Sequence, residues 1–360
     1  MKQFIYSVCM ALGIGVSGCS LVETEMENGG GNPVILGVRN ANLETKSIFT
    51  TVGTGTTGNV LNKIAVGVTA NSNVSWYDTD VTRQLFKTQG TDAVTWMAEG
   101  TPLYLNDTKG TVYAWAPSDL TATFTAGAPL KLTGLTLSAV QTFDFTNQDG
   151  VTDWNTSEKD YLYSAPVSNI NKNNSSAALN MSHALSKVSF RVMRNSGLPA
   201  PGTRDYVKEV KLVFKADGGK TGFVGKGEID LNTGDIKADD AGRLSTITFS
   251  PKTSAGSRQV AAYAVSGSDP DFVAVSPQAF ALVAPYPSVD KGKVDVVIKV
   301  GMKDSDTYDR TFTTTASTEL NWQKGKHYIY TILLTEKALT ISSVTLVGWS
   351  DELKDPVSAE

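Results

Sequence analysis

The chain reads as an all-β protein, and three observations carry that reading. β-Branched residues are dense, with about 40 Thr beside 32 Gly. Short segments alternate apolar and polar residues with a period of two, as a strand with one buried face requires. No window of about 12 residues carries a 3.6-residue apolar stripe, so helices are expected to be few and short.

The alternating segments fall at residues 63–68, 111–115, 187–192, 207–214, 294–300, 308–314 and 328–334. Each ends at a cluster of Gly, Pro, Asn or Asp, which break a ladder and favour turns. Asp217-Gly218-Gly219 and Asn232-Thr233-Gly234-Asp235 have the composition of hairpin tips. Many short strands with frequent turns suggest sandwiches or barrels. At 360 residues the chain is long enough for about two domains, each with its own core. The polar tract at residues 169–176 is the best internal boundary, which divides the body into 33–178 and 179–360. The same tract could equally be a long hairpin within one domain. No repeat of about 20 to 50 residues is visible.

The first residues read as an address. Lys2 precedes a short apolar run that closes on Val16-Ser17-Gly18-Cys19. A run this short, with a basic start and small residues at its end, is a secretory signal rather than a membrane span. Its ending resembles a bacterial lipobox, which implies a signal peptide at 1–18, cleavage between Gly18 and Cys19, and a lipid on the Cys19 sulfur. Several acyl chains there would anchor the protein stably, at about 0.8 kcal/mol per buried methylene. Ser at position 20, in place of the Asp that resembles an inner-membrane retention signal, favours delivery to the outer membrane. Glu23, Glu25 and Glu27 then lead into Asn28-Gly29-Gly30-Gly31-Asn32, and 19–32 reads as an acidic, Gly-rich tether.

Composition excludes more chemistry than it suggests. The formal charge of −4 gives no basic field for a nucleic acid. Cys9 and Cys19 are the only cysteines, and His183 and His327 the only histidines. A metal site rich in His or Cys and a His-dependent triad therefore lack raw material. Gly53-Thr54-Gly55-Thr56-Thr57-Gly58 matches GxGxxG but runs into a strand pattern where a phosphate-binding helix is needed. Gly219-Lys220-Thr221 lacks the first Gly of a phosphate loop, because that position is Phe214. Asn147-Gln148-Asp149-Gly150 resembles the middle of a calcium loop, yet Phe145 and Thr156 hold its first and last ligand positions. An irregular calcium site including Asp153 is the most this segment allows. Asp304, Asp306 and Asp309 look like carboxylates facing water at a hairpin tip. His183 and His327 read as hydrogen-bonded sheet residues. No nucleophile–base pair is apparent, so an enzyme is not expected and no cofactor is implied. Trp76, Trp96, Trp115, Trp154, Trp322 and Trp349 could line a glycan platform, but one per strand or turn they are more simply core anchors.

Several segments, in order, resemble the fimbrillin family, the subunits of type V pili. They are residues 60–68, residues 96–117 with Val112-Tyr113-Ala114-Trp115-Ala116-Pro117, Asp160-Tyr161-Leu162-Tyr163-Ser164, residues 179–190, Trp322-Gln323-Lys324-Gly325-Lys326-His327-Tyr328-Ile329-Tyr330 and residues 344–349. The resemblance implies two tandem transthyretin-like Greek-key β-sandwich domains. It also implies a pilus subunit, delivered to the cell surface as a lipoprotein, that assembles by strand exchange and supports adhesion. A trypsin-like protease would cut behind an N-terminal strand, and a neighbouring subunit would fill the vacated groove.

On this sequence the displaced strand would place Val34, Leu36 and Val38 in the groove, within a first strand at about 33–46. Arg39 and Lys46 are the candidate cleavage sites. Three to five buried apolar side chains, at about 1.5 to 3 kcal/mol each, would make exchange nearly irreversible. The candidate donor strand is 339–349, with Leu339, Ile341, Val344, Leu346, Val347 and Trp349. If it belongs instead to the body, the polar tail at 350–360 is a poor donor and a tip role is favoured. The implied partners are other pilus subunits, outer-membrane lipid through Cys19 and the processing protease. The alternative is a monomeric surface lipoprotein that binds a glycan or other ligand, or a pilus-tip adhesin.

Overall fold

The computed structural model describes residues 33–43, 61–88, 96–148, 151–195, 206–215, 222–251, 263–265, 277, 279–289, 292–302, 305–315, 320–334 and 339–348. Among them strands dominate, and the helical element is a single 3-10 turn, Asp240–Gly242, capped by the Asp239 side chain. The all-β expectation therefore holds, and the architecture is that of layered sheets.

The first large sheet runs, in spatial order, Gly37–Leu43, Ser176–His183, Leu162–Ile170, Gly110–Ala116, Lys63–Ala70, Gln84–Thr88 and Trp96–Glu99. Its two outermost strands, Gly37–Leu43 and Trp96–Glu99, lie against each other, so the sheet rolls around its own core. That core takes alternate residues: Ile64, Val66 and Val68, then Val112, Ala114 and Ala116, then Ala177, Leu179 and Met181. Phe86, Trp96, Leu36, Val38 and Ala41 complete it.

The opposite face is buried as well, which is why Lys63–Ala70 and Gly110–Ala116 read as near-continuous apolar runs. Ala65, Tyr113 and Trp115 point into a second, larger core shared with Leu130, Leu132 and Leu135. Those leucines come from, or lead into, a small sheet ordered Ile236–Ala238, Lys226–Asp230, Lys131–Thr136 and Thr121–Thr123. The approach is close at Gly67, where a Cβ would sit 3.0 Å from the Leu130 side chain and 3.2 Å from the Trp115 ring. Any larger residue there would push the two layers apart.

Two further sheets stack on each other, and the first takes two strands from the middle of the chain. One is ordered Val151–Thr156, Val140–Gln148, Thr246–Pro251, Tyr206–Phe214, Val294–Met302 and Ser305–Thr315. The other is ordered Tyr263–Val265, Ser186–Asn195, Lys326–Leu334 and Leu339–Gly348, with Ala279–Val283 also paired to Ser186–Asn195. Phe190 joins them, its ring 5.5 Å from Phe249 across the layers and 5.6 Å from Tyr330 within its own.

The polar tract at 169–176 is the turn of a hairpin between Leu162–Ile170 and Ser176–His183, closed by an Asn171–Asn174 bridge. The boundary expected near residue 178 falls inside Ser176–His183, and the chain crosses to the next sheet at Ala184 and Leu185. The Asn232-Thr233-Gly234-Asp235 tip joins Lys226–Asp230 to Ile236–Ala238 as expected, with Gly234 at φ +78°.

Candidate functional site

The N-terminal edge of the rolled sheet is built from two short ladders in succession. Val34–Ile35 pairs antiparallel with Tyr104–Leu105. The Leu36 N–H then donates to the Leu103 carbonyl at 3.0 Å, and the Gly37 N–H to the Ser175 carbonyl at 2.8 Å. From there Gly37–Leu43 runs parallel to Ser176–His183, with Val38 opposite Ala177, Ala41 opposite Leu179 and Leu43 opposite Met181. No described strand hydrogen-bonds to its other side. The strand is held by one ladder and by what it buries.

Leu36 and Val38 are buried, at 2% and 6% exposure, and Val34 is half-buried. The groove residues expected from the alternation are thus brought together. The alternation then breaks. Val38 pairs with Ala177 and Asn40 with Ala178, so Arg39 is an extra, bulged residue. After the bulge the buried position is Ala41, a phase shift of one residue. Arg39 is exposed and donates from Nη2 to the Ser176 carbonyl at 3.4 Å. It lies inside the strand, which continues to Leu43. Beside this edge Ile35 and Tyr104, which are ladder partners, both stay about half exposed, at 48% and 46%.

At the other terminus, Leu339–Gly348 pairs along its whole length with Lys326–Leu334 and closes that sheet as an edge strand. Leu339, Ile341, Val344, Leu346 and Val347 lie in this strand. Ile341, Val344 and Leu346 stand in register with Ile332, Tyr330 and Tyr328. Gly18, Cys19, the Glu23, Glu25 and Glu27 tether, Lys46, the 53–58 glycine loop, residues 219–221, Asp149, Gly150, Asp304 and Trp349 lie outside the described residues.

The remaining chemistry is internal. His183 Nδ1 lies 2.8 Å from Asp160 Oδ2, with both side chains buried. Ser189 Oγ lies 2.6 Å from His327 Nε2, a contact that sequence reading missed because the two residues are 138 apart. The shape is that of a nucleophile and a base, but the two residues are 0% and 2% exposed, sealed from any substrate. Burial, together with the nearby Lys187 and Arg191 charges, pushes the His327 imidazole well below the ordinary value of 6.5. Asp309, expected to face water, is instead gripped by Lys208 at 2.8 Å and Lys299 at 2.6 Å. Those two hydrogen bonds hold its carboxyl below the usual range. Among the described residues no three His, Cys, Asp or Glu side chains converge as a metal site.

The aromatic residues mostly face inward. The Trp115 indole donates to the Leu120 carbonyl at 3.1 Å and the Trp322 indole to the Tyr330 hydroxyl at 2.8 Å. Trp96 is buried, and Trp76 rests half-buried on Phe124. An open cleft of about 650 Å³ crosses the small sheet, lined by Thr133, Thr136, Lys226, Glu228, Lys237 and Asp240 among others. It carries no aromatic ring, and Glu228 is already neutralised by Lys131 at 2.8 Å and Lys237 at 3.8 Å.

Fold and site together define an all-β sandwich protein with Gly37–Leu43 and Leu339–Gly348 as sheet-edge strands near the two ends of the described chain. The chain belongs to the Fimbrillin-like family, whose model matches residues 50–349. In fold it is similar to a fimbrial protein of Bacteroides vulgatus, with 14% identity over 88% of this chain and 100% of that one, at a TM-score of 0.52. It is likewise similar to a candidate cell adhesion protein of Bacteroides uniformis, with 15% identity over 88% and 99% of the two chains, at a TM-score of 0.51. No curated protein matches the chain by sequence.

Proposed function

We propose that the chain is a structural subunit of a cell-surface pilus. It is exported as an outer-membrane lipoprotein through Cys19, supports adhesion, and assembles by protease-triggered strand exchange. In this reading the body is two transthyretin-like Greek-key sandwiches, with Lys131–Thr136 and Val140–Gln148 paired to Lys226–Asp230 and Thr246–Pro251. Family membership supports the pilus role, as do the fimbrial and cell-adhesion relatives in fold. One observation carries the exchange step: Gly37–Leu43 is an N-terminal edge strand that fills an apolar core. Releasing it with the residues before it breaks the ladder to Ser176–His183 and the short one to Tyr104–Leu105, and leaves unpaired backbone above an open apolar groove.

The cut falls after Lys46. A trypsin-like protease needs several residues free to lie extended in its cleft, and Arg39 is tied into a ladder on both sides. Lys46 stands three positions past Leu43, the last described residue of that ladder.

Limited trypsin treatment tests the proposal. One early cut behind the strand, followed by SDS-resistant oligomers, is expected. A chain cut there that stays monomeric at high concentration would sink it.

A further inference from the structure

Several strands of the rolled sheet come to a common end. Ala70 and Ile170 both lie opposite Gly110, and Gly37 lies opposite Ser176, so these strands start or stop together. Beyond them the end is closed by the segments at 71–74, 103–109 and 171–174 and by the Val34–Ile35 ladder. Main-chain bonds knit these pieces. The Asn71 N–H donates to the Lys109 carbonyl at 3.0 Å, and the Lys172 N–H to the Asn106 carbonyl at 2.8 Å.

This end is apolar where a free surface need not be. Val74, Ile35 and Tyr104 are all exposed here, Val74 at 63%. Ile35 and Tyr104 are direct ladder partners and so project from one face. Val74 is held out by its turn, in which Asn71, Ser72 and Asn73 all take left-handed φ, from +51° to +68°. Side chains other than glycine adopt that conformation at a cost. Asn73 fastens the turn: its Oδ1 accepts from the Thr69 and Tyr113 hydroxyls, and its carbonyl accepts from the Gly127 N–H at 2.7 Å. The exposure of Val74 is therefore built into the fold.

Acid is scarce at the same end. Across residues 34–37, 71–74, 103–109 and 171–174 the one carboxylate is Asp107, which Lys172 holds at 2.9 Å, and Lys109 adds a further positive charge. The chain also enters the sheet here. Cys19 and Val34 are fifteen residue steps apart, which span at most about 50 Å fully extended.

From these observations we infer that this end is the foot of the uncut subunit, resting on the lipid headgroups of the membrane that holds Cys19. Tyr104, Ile35 and Val74 sit at the boundary of headgroups and acyl chains. A ring with a polar tip and short aliphatic chains suit that boundary, and surplus positive charge suits anionic headgroups. The inference rests on the lipid-anchor reading and adds to it a face and an orientation. A cut behind Leu43 removes Ile35 together with the anchor, so processing dismantles the foot as it frees the subunit.

A fluorescent probe on vesicles reads the footing. Val34–Glu360 is one compact unit, so residues 20–360 keep it whole, and they contain no cysteine. This chain, with a His tag where Cys19 stood, is bound through a nickel-chelating lipid to vesicles of phosphatidylethanolamine with one quarter phosphatidylglycerol. An environment-sensitive fluorophore is attached through Asn173→Cys at the foot, or through Val140→Cys, an exposed control in another sheet. At 173 emission should rise about threefold on the vesicles and be quenched by brominated lipid, and at 140 neither should occur. Adding Val74→Ser and Tyr104→Ser, both at exposed positions, should abolish the rise at 173.

Equal emission at the two positions, or a rise that survives both serines, would overturn the footing. A rise at 173 that grows with protein density and escapes brominated lipid would mean that a second copy covers this end, and would overturn it too. The mass of Cys19 in chain recovered from cells reads the anchor separately. Absence of an acyl mass there would overturn the lipoprotein reading and the inference with it.

Discussion

Inside the rolled sheet the buried side chains are Ile64, Val66, Val68, Val112, Leu179, Met181 and their like, to which the N-terminal edge adds Leu36, Val38 and Ala41. Between Ser186–Asn195 and Lys326–Leu334 the buried residues include Lys187, Ser189, Arg191, His327 and Thr331. The first region is held by burial, which is not directional and accepts any aliphatic chain of suitable size. The second is held by specific bonds, such as Ser189 to His327 and Arg191 Nη1 to Thr331 Oγ1 at 3.4 Å, which fix one partner in one register. Under the proposed exchange, the strand that leaves is the one held by apolar burial, and the directional bonds of the neighbouring layer hold its register.

The comparison can be broken at several points. Trp115→Ala should have the largest effect, about 3–5 kcal/mol, because the ring is fully buried between the rolled sheet and the small sheet. Urea unfolding measures it, and a loss under about 1 kcal/mol would mean that the two layers are not coupled through this residue.

Leu36→Ala should cost about 2–3 kcal/mol. The loss should be local, with faster amide exchange along Ser176–His183 and faster trypsin cutting, while Ser186–Asn195 keeps its protection. Uniform loosening of the whole chain would contradict an independently held edge.

His327 sharpens the other side. Its folded-state value is depressed by burial and by Lys187 and Arg191, whereas the unfolded chain titrates near 6.5. Only the unfolded chain takes up this proton just below pH 6.5, so stability is lost as pH falls through that value and is untouched above it. Between pH 7.5 and 5 the native chain should lose up to about 2 kcal/mol more than the His327→Gln variant. Parallel curves for the two would show that His327 does not set the acid sensitivity.

Arg39→Gln should be the mildest change, within about 0.5 kcal/mol, since it removes one exposed hydrogen bond at a bulge. Trypsin should still release the strand from this variant. Resistance would move the cleavage site from Lys46 to Arg39.

Strands buried on one or both faces were legible in the sequence, as at 63–68, 111–115, 207–214 and 294–300, because each segment carries its own period. Chain-distant features were not. Nothing near residue 38 announces that its partner is Ala177 in a parallel ladder, and the alternation of Val34, Leu36 and Val38 gives no hint of the bulge that follows. Lys187, Ser189 and Arg191 have the pattern of a solvent face, yet they are buried because the far side of their sheet is covered too. The polar tract at 169–176 looked equally like a linker and a hairpin, and only the pairing of Leu162–Ile170 with Ser176–His183 separates the two.

Parallel pairing of the first edge strand has a kinetic side. While the chain is whole, that strand is joined covalently to the rest of the sheet, and its effective concentration at the seat is of millimolar order. Such a strand re-docks far faster than any neighbour can compete. Under the proposed exchange, cutting one peptide bond turns re-docking into a bimolecular event, and the advantage passes to whichever copy stands closest on the surface. In that reading the bond acts as a timer: a subunit stays closed to its neighbours until that bond is cut.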